Sequence, residues 1–191
     1  VNSKTVYNFV KYVREKEHIF ASSKIRQTAA IDEVPYGSQA QIDFGEHTMR
    51  CFGKSIQKVY FFALVLSRSR FKYVFFQTQP FTGKTAVESH ERAFEYIEGI
   101  PKMLLYDQDS VYLKSENLGD YILADDFHQY RNERNINVSF CRKADPQTKG
   151  KIENVIGYIK HNFLRARTFY DIDRLNEEAL AWLKRTANGT P

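Results

Sequence analysis

The sequence predicts an α/β domain in which a mixed five-stranded sheet carries helices on both faces, with further helices flanking it. Three runs rich in aromatic and β-branched residues follow one another between residues 39 and 77, with no helical pattern between them. Two shorter apolar runs, 102–106 and 137–141, each follow a segment whose apolar residues recur at helical spacing. Consecutive strands favour an antiparallel meander, whereas strands separated by helices favour parallel pairing, so the sheet is expected to be mixed.

The N-terminal part predicts one helix and then the three strands. The helix is expected over about 4–17, with Ser3 as its cap, and Tyr7 and Tyr12 are expected to be mostly core residues. A polar connection runs to about residue 37. The strands are expected at 39–48, 58–66 and 71–77. In the first strand two sets of residues alternate and therefore face opposite sides of the sheet. One set is Ala40, Ile42 and Phe44, and the other is Gln41, Asp43 and Gly45.

The remaining elements alternate. A helix from Thr82 to about Ile97 ends at Gly99 and precedes the strand at 102–106. Residues 108–125 are polar and irregular, with room for a small hairpin. A helix to about residue 135, a strand at 137–141, a loop at 142–150, a helix at 151–165 and a last helix at 172–185 complete the chain. Trp182 is expected to anchor that last helix by packing. This order, β-β-β-α-β-α-β-α, is the element order of the ribonuclease-H-like fold.

Charge is distributed unevenly along the chain. The net charge is +5 and the pI about 9.1. Residues 31–130 are acidic, with a net charge of −4, and lie between basic segments at 1–30 and 131–167, with net charges of +4 and +6. This pattern suits a metal-dependent enzyme that acts on nucleic acid, and an unevenly charged solvated surface would explain it as well.

Membrane and disulfide-rich classes are excluded by composition. No apolar run reaches the roughly 18–20 residues of a membrane span. Cys51 and Cys141 lack disulfide-framework or zinc spacing, so we expect reduced thiols and a cytoplasmic location. The first residue is not Met, and both ends look cut, so a piece of a longer protein is expected.

Three carboxylates occupy positions from which they could meet. Asp43 lies in the first strand, Asp107 directly follows the fourth strand, and Glu153 is expected in the first turn of the helix after the basic loop. Asp109 competes with Asp107, but strand alternation favours Asp107. Strand ends of an α/β sheet open into one crevice, and carboxylates that converge there would hold divalent cations. Two such ions can activate the attacking oxygen and stabilise the leaving oxygen of a phosphodiester.

Each carboxylate also has an ordinary structural explanation. Asp43 could be a surface residue of a strand, Asp107 a turn former, and Glu153 an acid that complements a helix dipole. Basic residues after the fifth strand would hold phosphates without reading bases, and a solubilising surface is the alternative for each. These are Lys143, Lys149, Lys151, Lys160, Arg165 and Arg167.

Three short motifs carry a family resemblance. Pro146-Gln147-Thr148-Lys149-Gly150-Lys151-Ile152-Glu153 resembles the Pro-Gln-Ser-x-Gly-x-x-Glu signature of retroviral integrase catalytic cores. Gln41-Ile42-Asp43-Phe44-Gly45-Glu46 and Tyr106-Asp107-Gln108-Asp109 resemble the first and second aspartate motifs of IstA-type transposases. The resemblance is strongest over 38–165. Gln108 stands where many relatives have Asn, and the long interval between Asp107 and Glu153 implies an insertion around 108–125.

The resemblance implies a DDE triad and its chemistry. Asp43, Asp107 and Glu153 would be both catalytic residues and ligands of two Mg²⁺ ions, for which Mn²⁺ could substitute. Gln147 would join the basic residues as a DNA contact. The implied reaction is cleavage at transposon 3′ ends, followed by strand transfer into target DNA.

The implied organisation follows the same resemblance. Residues 1–37 would end a DNA-binding region, 38–167 would form the catalytic core, and 168–191 would lead to a further domain. Implied partners are transposon-end and target DNA, further copies of the chain, and an IstB-like AAA+ ATPase helper. No membrane partner is expected, and association with the bacterial nucleoid is expected when the protein is active.

Two alternatives remain open on the residues. One is a ribonuclease-H-like nuclease such as a junction resolvase, against which the Pro146–Gly150 motif argues. The other is a catalytically inactive DNA-binding or assembly module, against which the presence of all three carboxylates argues.

Overall fold

A computed structural model describes residues 3–17, 33–53, 55–106, 113–117, 120–123, 125–140 and 146–189. Within these ranges the backbone alone is described for Ser3, 113–117, 120–123, 125–126 and 146–149. The chain forms two compact units, Val1–Asp32 and Glu33–Pro191.

The first unit contains helix α1, Ser3–Lys16, which matches the predicted helix within one residue at each end. The expectation that its tyrosines are core residues is wrong, because Tyr7 and Tyr12 are 69% and 60% exposed. Val6 and Phe9 are exposed as well. The spacing of apolar residues shows which side of a helix is apolar, but burial requires a second element packed on that side, which the spacing does not show.

The second unit is built on a mixed sheet. Its strands are β1 (Gln39–Cys51), β2 (Ile56–Leu66), β3 (Lys72–Gln77), β4 (Met103–Tyr106), β7 (Asn137–Phe140) and the short β8 (Thr168–Phe169). The order is β3-β2-β1-β4-β7, with β8 paired to the far end of β1. The first three strands form the predicted antiparallel meander, and β4 and β7 add in parallel. The sequence did not predict β8, because two residues are too short to show a period.

Helices cover both faces of this sheet. They are α2 (Gly83–Tyr96), α3 (Asp125–Arg134), α4 (Pro146–Tyr158) and α5 (Ile172–Trp182), and π-helical segments Ile159–Leu164 and Leu183–Ala187 extend α4 and α5. Thr82 caps α2 in a capping box with Thr85, as its position before the helical pattern predicts. Trp182 packs on Tyr158 and Phe163, so its predicted role as a packing anchor is confirmed.

Different aromatic side chains pack on the two faces of the sheet. Phe62, His90 and Phe44 lie on the α2 side, whereas Phe61 and Phe76 lie on the side of α4 and α5. Burying one such aromatic side chain contributes about 1.5–3 kcal/mol, so these rings dominate the attachment of helices to the sheet. The predicted α/β architecture is therefore confirmed.

Helix α4 begins earlier than predicted. Residues 146–150 were expected in a loop, but the helix starts at Pro146. Proline suits the first helical position, because its missing N–H would have no partner there and its φ is already helical. The expectation that Glu153 lies in the first turn is wrong, since two turns of helix precede it. A role as a dipole-complementing acid therefore loses its basis, because that effect fades beyond the first turn.

A two-stranded hairpin occupies the predicted insertion. Strands β5 (Leu113–Asn117) and β6 (Asp120–Leu123) pair antiparallel and form a sheet of their own. Across the described part of the chain, no helix combines the length and apolarity required to span a bilayer.

Candidate active site

Asp43 lies near the middle of β1 and is half-buried. Its Oδ1 accepts a hydrogen bond from the backbone N–H of Phe44 at 2.8 Å. Opposite it on β2 stands Ala63, whose side chain is a single methyl group and leaves space beside the carboxylate. The carboxylate therefore has room above the sheet on the face covered by α4.

The neighbouring strand β4 runs parallel to β1 up to the position before Asp43. Ile42 pairs with Tyr106, the last residue of β4. The predicted Asp107 is bonded to Tyr106 but lies outside the described residues, as do Asp109 and Lys143.

A buried glutamine joins β1 to α4. Gln41 is 3% exposed and lies two residues before Asp43, so both side chains face the same side of the sheet. Its Oε1 accepts a hydrogen bond from the backbone N–H of Ile152 at 3.0 Å. Ile152 immediately precedes Glu153. One side chain thus ties the strand that carries Asp43 to the helical turn that carries Glu153.

A second polar connection lies beside the first. Lys151 donates from Nζ to the backbone oxygen of Ser67 at 3.0 Å. Ser67 is fully buried, and its hydroxyl donates to Oε1 of Gln39 at 2.8 Å. Consecutive residues of α4, Lys151 and Ile152, are therefore both held against the same end of the β1–β2 pair.

Glu153 is exposed on α4. The buried stripe of this helix and its extension is Ile152, Val155, Ile159 and Phe163, each 5% exposed or less. Glu153 lies one position from that stripe, as the sequence predicts. It can reach solvent while its backbone is held by the packed stripe.

Beneath the end of β4 lies a buried histidine that the sequence analysis did not single out. His90 of α2 is fully buried, and burial lowers its pKa to about 4, so the ring is neutral. Its Nδ1 is 2.7 Å from the carbonyl oxygen of Ala86 and must donate, because a carbonyl only accepts. Nε2 therefore accepts from the Tyr106 hydroxyl at 2.9 Å. This hydrogen bond fixes the residue that precedes Asp107.

The predicted DNA contacts have varied environments. Lys151 is half-buried, and one of its three N–H donors is bound to Ser67, as described above. Lys160 is half-buried, with Nζ 6.0 Å from the centre of the Phe61 ring. The pKa of His47 is lowered mainly by burial and, to a smaller extent, by the positive charge of Lys160. Arg165 is exposed at the end of the π-helical segment. For Gln147 and Lys149 the structure describes helical backbone alone.

Arg167 has a structural partner. Its guanidinium pairs with Glu178 of α5, and its Nε donates to the backbone oxygen of Phe163 at 3.0 Å. The guanidinium carbon also lies 4.3 Å from the centre of the Phe163 ring. These contacts hold α5 to the end of the preceding helix.

The sequence contained a signal for Gln41 that its analysis did not use. Helices are predicted on both faces of the sheet, so a side chain in β1 is expected to be buried whichever face it lies on. A polar residue there requires a partner. The identity of that partner, 111 positions away along the chain, could not be read from local pattern.

Among the residues that the structure describes, no three His, Cys, Asp or Glu side chains lie close enough together to hold a metal ion. Asp43 and Glu153 nevertheless offer hard oxygen donors, the kind that Mg²⁺ prefers. Asp43 is half-buried and Glu153 is open to solvent, so the donor set suits a cation that retains several waters.

Comparison with known proteins agrees with this architecture. Residues 36–146, more than half of the chain, match the Integrase core domain family. The catalytic core domain of HTLV-2 integrase, solved with magnesium, superposes with a TM-score of 0.58 at 16% identity, over 81% of this chain and 90% of that one. A chain from the structure of a simian T-cell lymphotropic virus intasome, solved with the PP2A regulatory subunit B56 gamma, gives a TM-score of 0.60 at 14% identity, over 78% of this chain and 49% of that one. The ribonuclease-H-like fold is thereby confirmed.

Curated relatives are bacterial transposases. The transposase of an IS21-like insertion sequence element from Bacteroides fragilis is 47% identical over 99% of this chain. The transposase of IS21 from Pseudomonas aeruginosa is 30% identical over 78% of it. The chain spans 37% and 38% of the length of these two proteins. The resemblance to insertion-sequence transposases with an integrase-like core is therefore confirmed, and the chain belongs to the Integrase core domain family.

Proposed function

We propose that this chain is the catalytic core of a DNA transposase that cleaves transposon 3′ ends and joins them to target DNA. The observation that carries the proposal is the hydrogen bond between Gln41 and Ile152, which couples the Asp43 strand to the Glu153 helix. Two carboxylates that are far apart in the sequence can act on one phosphate only if the elements that carry them are held in a fixed relative position, and this hydrogen bond helps to hold β1 and α4. The names of the curated relatives, which are insertion-sequence transposases, support the same conclusion.

Asp107 is proposed as the third carboxylate on the basis of chain connectivity. Ile42 and Tyr106 are registered partners in adjacent parallel strands, and Asp43 and Asp107 are the residues that follow them. Consecutive Cα atoms are about 3.8 Å apart, so the carboxylate of Asp107 can reach the neighbourhood of Asp43. The buried hydrogen bond from Tyr106 to His90 supports this, because it holds the last residue of β4 in place.

The proposed residues have two roles, metal binding and phosphate binding. Asp43, Asp107 and Glu153 would hold two Mg²⁺ ions, with Mn²⁺ as a substitute. Such a pair, when bound, activates the attacking oxygen and stabilises the leaving oxygen. The 3′-hydroxyl oxygen forms a bond to a target phosphorus while the bond from that phosphorus to its original 3′ oxygen breaks. No covalent bond to the protein is needed. The residues proposed to bind backbone phosphates are Lys143, Gln147, Lys149, Lys151, Lys160 and Arg165.

The proposed setting also comes from relatives. The simian viral structure is an intasome, which supports assembly of several copies on DNA. We propose that this chain acts as a homo-oligomer on paired transposon ends. We also propose that an IstB-like ATPase helper assists it and that it acts at the bacterial nucleoid.

Reversal of strand transfer tests the proposal. A catalyst accelerates a transesterification in both directions, so the chain should resolve a branched DNA that mimics the joined product when Mg²⁺ or Mn²⁺ is supplied. Asp43→Asn, Asp107→Asn and Glu153→Gln should each abolish resolution and leave DNA binding intact. Glu46→Gln on β1 and Glu177→Gln on α5 are matched controls, because both carboxylates are exposed and lie outside the proposed triad.

The outcomes separate the alternatives. Activity retained in one of the three variants removes that residue from the triad. Cutting without rejoining would instead indicate a nuclease. Calorimetry that detects neither Mg²⁺ nor Mn²⁺ binding in the presence of DNA would indicate an inactive assembly module.

A further inference from the structure

A cationic pocket lies between α4 and the C-terminal end of the chain, over β2 and β3. Its volume is about 530 Å³. Three cationic side chains line it, together with polar and apolar groups of α4. The cations are Arg70, Lys72 and Lys151, and the α4 residues include Asn154, Val155 and Tyr158.

The two lysines are held by neutral partners. Lys72 Nζ donates to the backbone oxygens of Arg70 and Ala187, both at 2.9 Å. Lys151 Nζ donates to the backbone oxygen of Ser67. An ammonium group has three donors, so these bonds leave each lysine able to donate to a ligand. Within the described part of the chain, neither lysine forms an ion pair with a carboxylate.

The carboxylate that pairs with Arg70 is shared with a second arginine. Glu33 pairs with Arg70 at 2.8 Å and with Arg68 at 3.5 Å. Burial and the charge of Arg70 lower the pKa of Lys72. They also lower the pKa of Lys151, where they outweigh the opposite effect of Glu33. The pocket therefore holds positive charge that its own carboxylate does not neutralise, and an incoming anion would relieve the repulsion.

The cations are also held in place before any ligand arrives. Asn188 clamps the backbone of Lys72, accepting from its N–H at 2.8 Å and donating to its carbonyl at 2.7 Å. Lys151 lies on α4 next to Ile152, whose N–H is bound by Gln41. Groups that are already ordered lose less entropy on binding, so the arrangement favours ligand capture.

The pocket is separate from the proposed active site. With about 100° of rotation per residue, Lys151, Asn154, Val155 and Tyr158 share one flank of α4. Glu153 lies on the opposite flank by the same count. A helix with its side chains is about 10–12 Å wide, so the two flanks can contact different phosphates of one DNA molecule.

We infer that this pocket binds a phosphate group of the DNA backbone on the flank of α4 away from Glu153. The identity of the ligand as DNA rests on the proposed function. Arg70, which pairs with Glu33 through Nη2, keeps other guanidinium N–H groups for the phosphate oxygens, and the two lysines act as point charges. The volume exceeds the needs of a phosphate alone, and Val155 with the Tyr158 ring provides apolar surface for the attached sugar or base.

Salt-dependent DNA binding tests the inference. Fluorescence anisotropy with a labelled duplex, in EDTA over a range of NaCl, measures the slope of log K against log salt. Lys72→Gln should make the slope shallower by about 0.9 and weaken binding at every salt concentration. Lys102→Gln removes an exposed lysine outside the pocket and is the matched control.

Asn154→Asp keeps the result interpretable if Lys72→Gln unfolds the chain. The substitution adds a carboxylate of nearly identical shape among the cations, so the thermal midpoint should hold or rise while the DNA slope becomes shallower. An unchanged slope in this folded variant overturns the inference.

Inorganic phosphate distinguishes the two possible sources of the ligand. If phosphate raises the thermal midpoint of the wild type but not of Asn154→Asp, while the DNA slope is unchanged, the site serves a free phosphate compound and the DNA assignment is wrong. Failure of this inference and failure of the proposed function can be told apart. If the wild type resolves branched DNA but the pocket variants have the wild-type salt slope, the phosphate site alone is refuted. A chain with a shallower slope in the variants and no resolution refutes the catalytic proposal alone.

Discussion

Removing the hydrogen bond between Gln41 and Ile152 should lower both the stability and the catalytic activity of the protein. Gln41→Met keeps the length of the side chain and removes its amide oxygen, so the Ile152 N–H, which lies inside α4, loses its hydrogen bond to β1. Gln41 is 3% exposed, which leaves little access for a replacing water. Losing a buried hydrogen bond costs roughly 0.5–1.5 kcal/mol, and at about 1 kcal/mol a domain of this size should lose roughly 2–4 °C in Tm.

The catalytic effect should exceed the loss of folded protein. Ile152 is bonded to Glu153, and a misplacement of about 1 Å in a reacting group can lower a rate on the order of 100-fold. Resolution of branched DNA should therefore fall well below the wild-type rate at temperatures where the variant is fully folded. Hydrogen exchange at the Ile152 amide should accelerate more than exchange in β2 and β3.

Gln57→Met is the matched control. Gln57 also lies in a strand, and its amide makes an exposed contact with the neighbouring Lys58 carbonyl at 2.8 Å. Its free energy of unfolding should change by less than about 0.5 kcal/mol. If Gln41→Met retained its Tm, its activity and the protection of the Ile152 amide, the coupling between β1 and α4 would have to be assigned elsewhere.

Two further predictions concern stability. Gly45→Ala would place a Cβ atom 2.2 Å from Cζ of Phe61, so thermal unfolding should show a loss of roughly 1–3 kcal/mol, whereas Gly99→Ala, with open space around it, should show little change. His90 has a folded-state pKa of about 4, below its ordinary value of 6.5, so the unfolded chain binds the extra proton first and stability falls as pH drops from about 6.5 to 4. The shift corresponds to roughly 3 kcal/mol. Urea titrations at pH 7 and pH 4 should show this difference in the wild type and a smaller one in His90→Gln, and equal pH dependence in both would contradict the assignment.

Local pattern was sufficient for most of the fold. Alternation in β1, the β-branched and aromatic runs of β2 and β3, and the cap at Thr82 each reflect a physical period or a single backbone group, and each matches the structure. The pattern failed where two local signals competed. Pro146 and Gly150 indicated a loop, but proline is also favoured at the first position of a helix, and α4 begins there.

The exposed α1 residues show a different limit. Val6, Phe9 and Val10 have the spacing of a buried helix face, and that spacing predicts which side of a helix is apolar. It does not predict whether another element covers that side. The error on Tyr7 and Tyr12 came from treating an apolar face as a buried one.

For the proposed site, the sequence determined which residues could act: Asp43 on a strand, Glu153 beside an apolar helical stripe, and a basic segment around it. These features depend on residue type and spacing, which the chain displays directly. The tertiary structure alone decided that Gln41 holds Ile152 and that Lys151 turns toward Ser67, Arg70 and Lys72. Those contacts join residues about 80 to 110 positions apart, and they form only when β1, β2 and α4 pack together, because hydrogen-bond partners in a buried interface are chosen by geometry rather than by sequence distance.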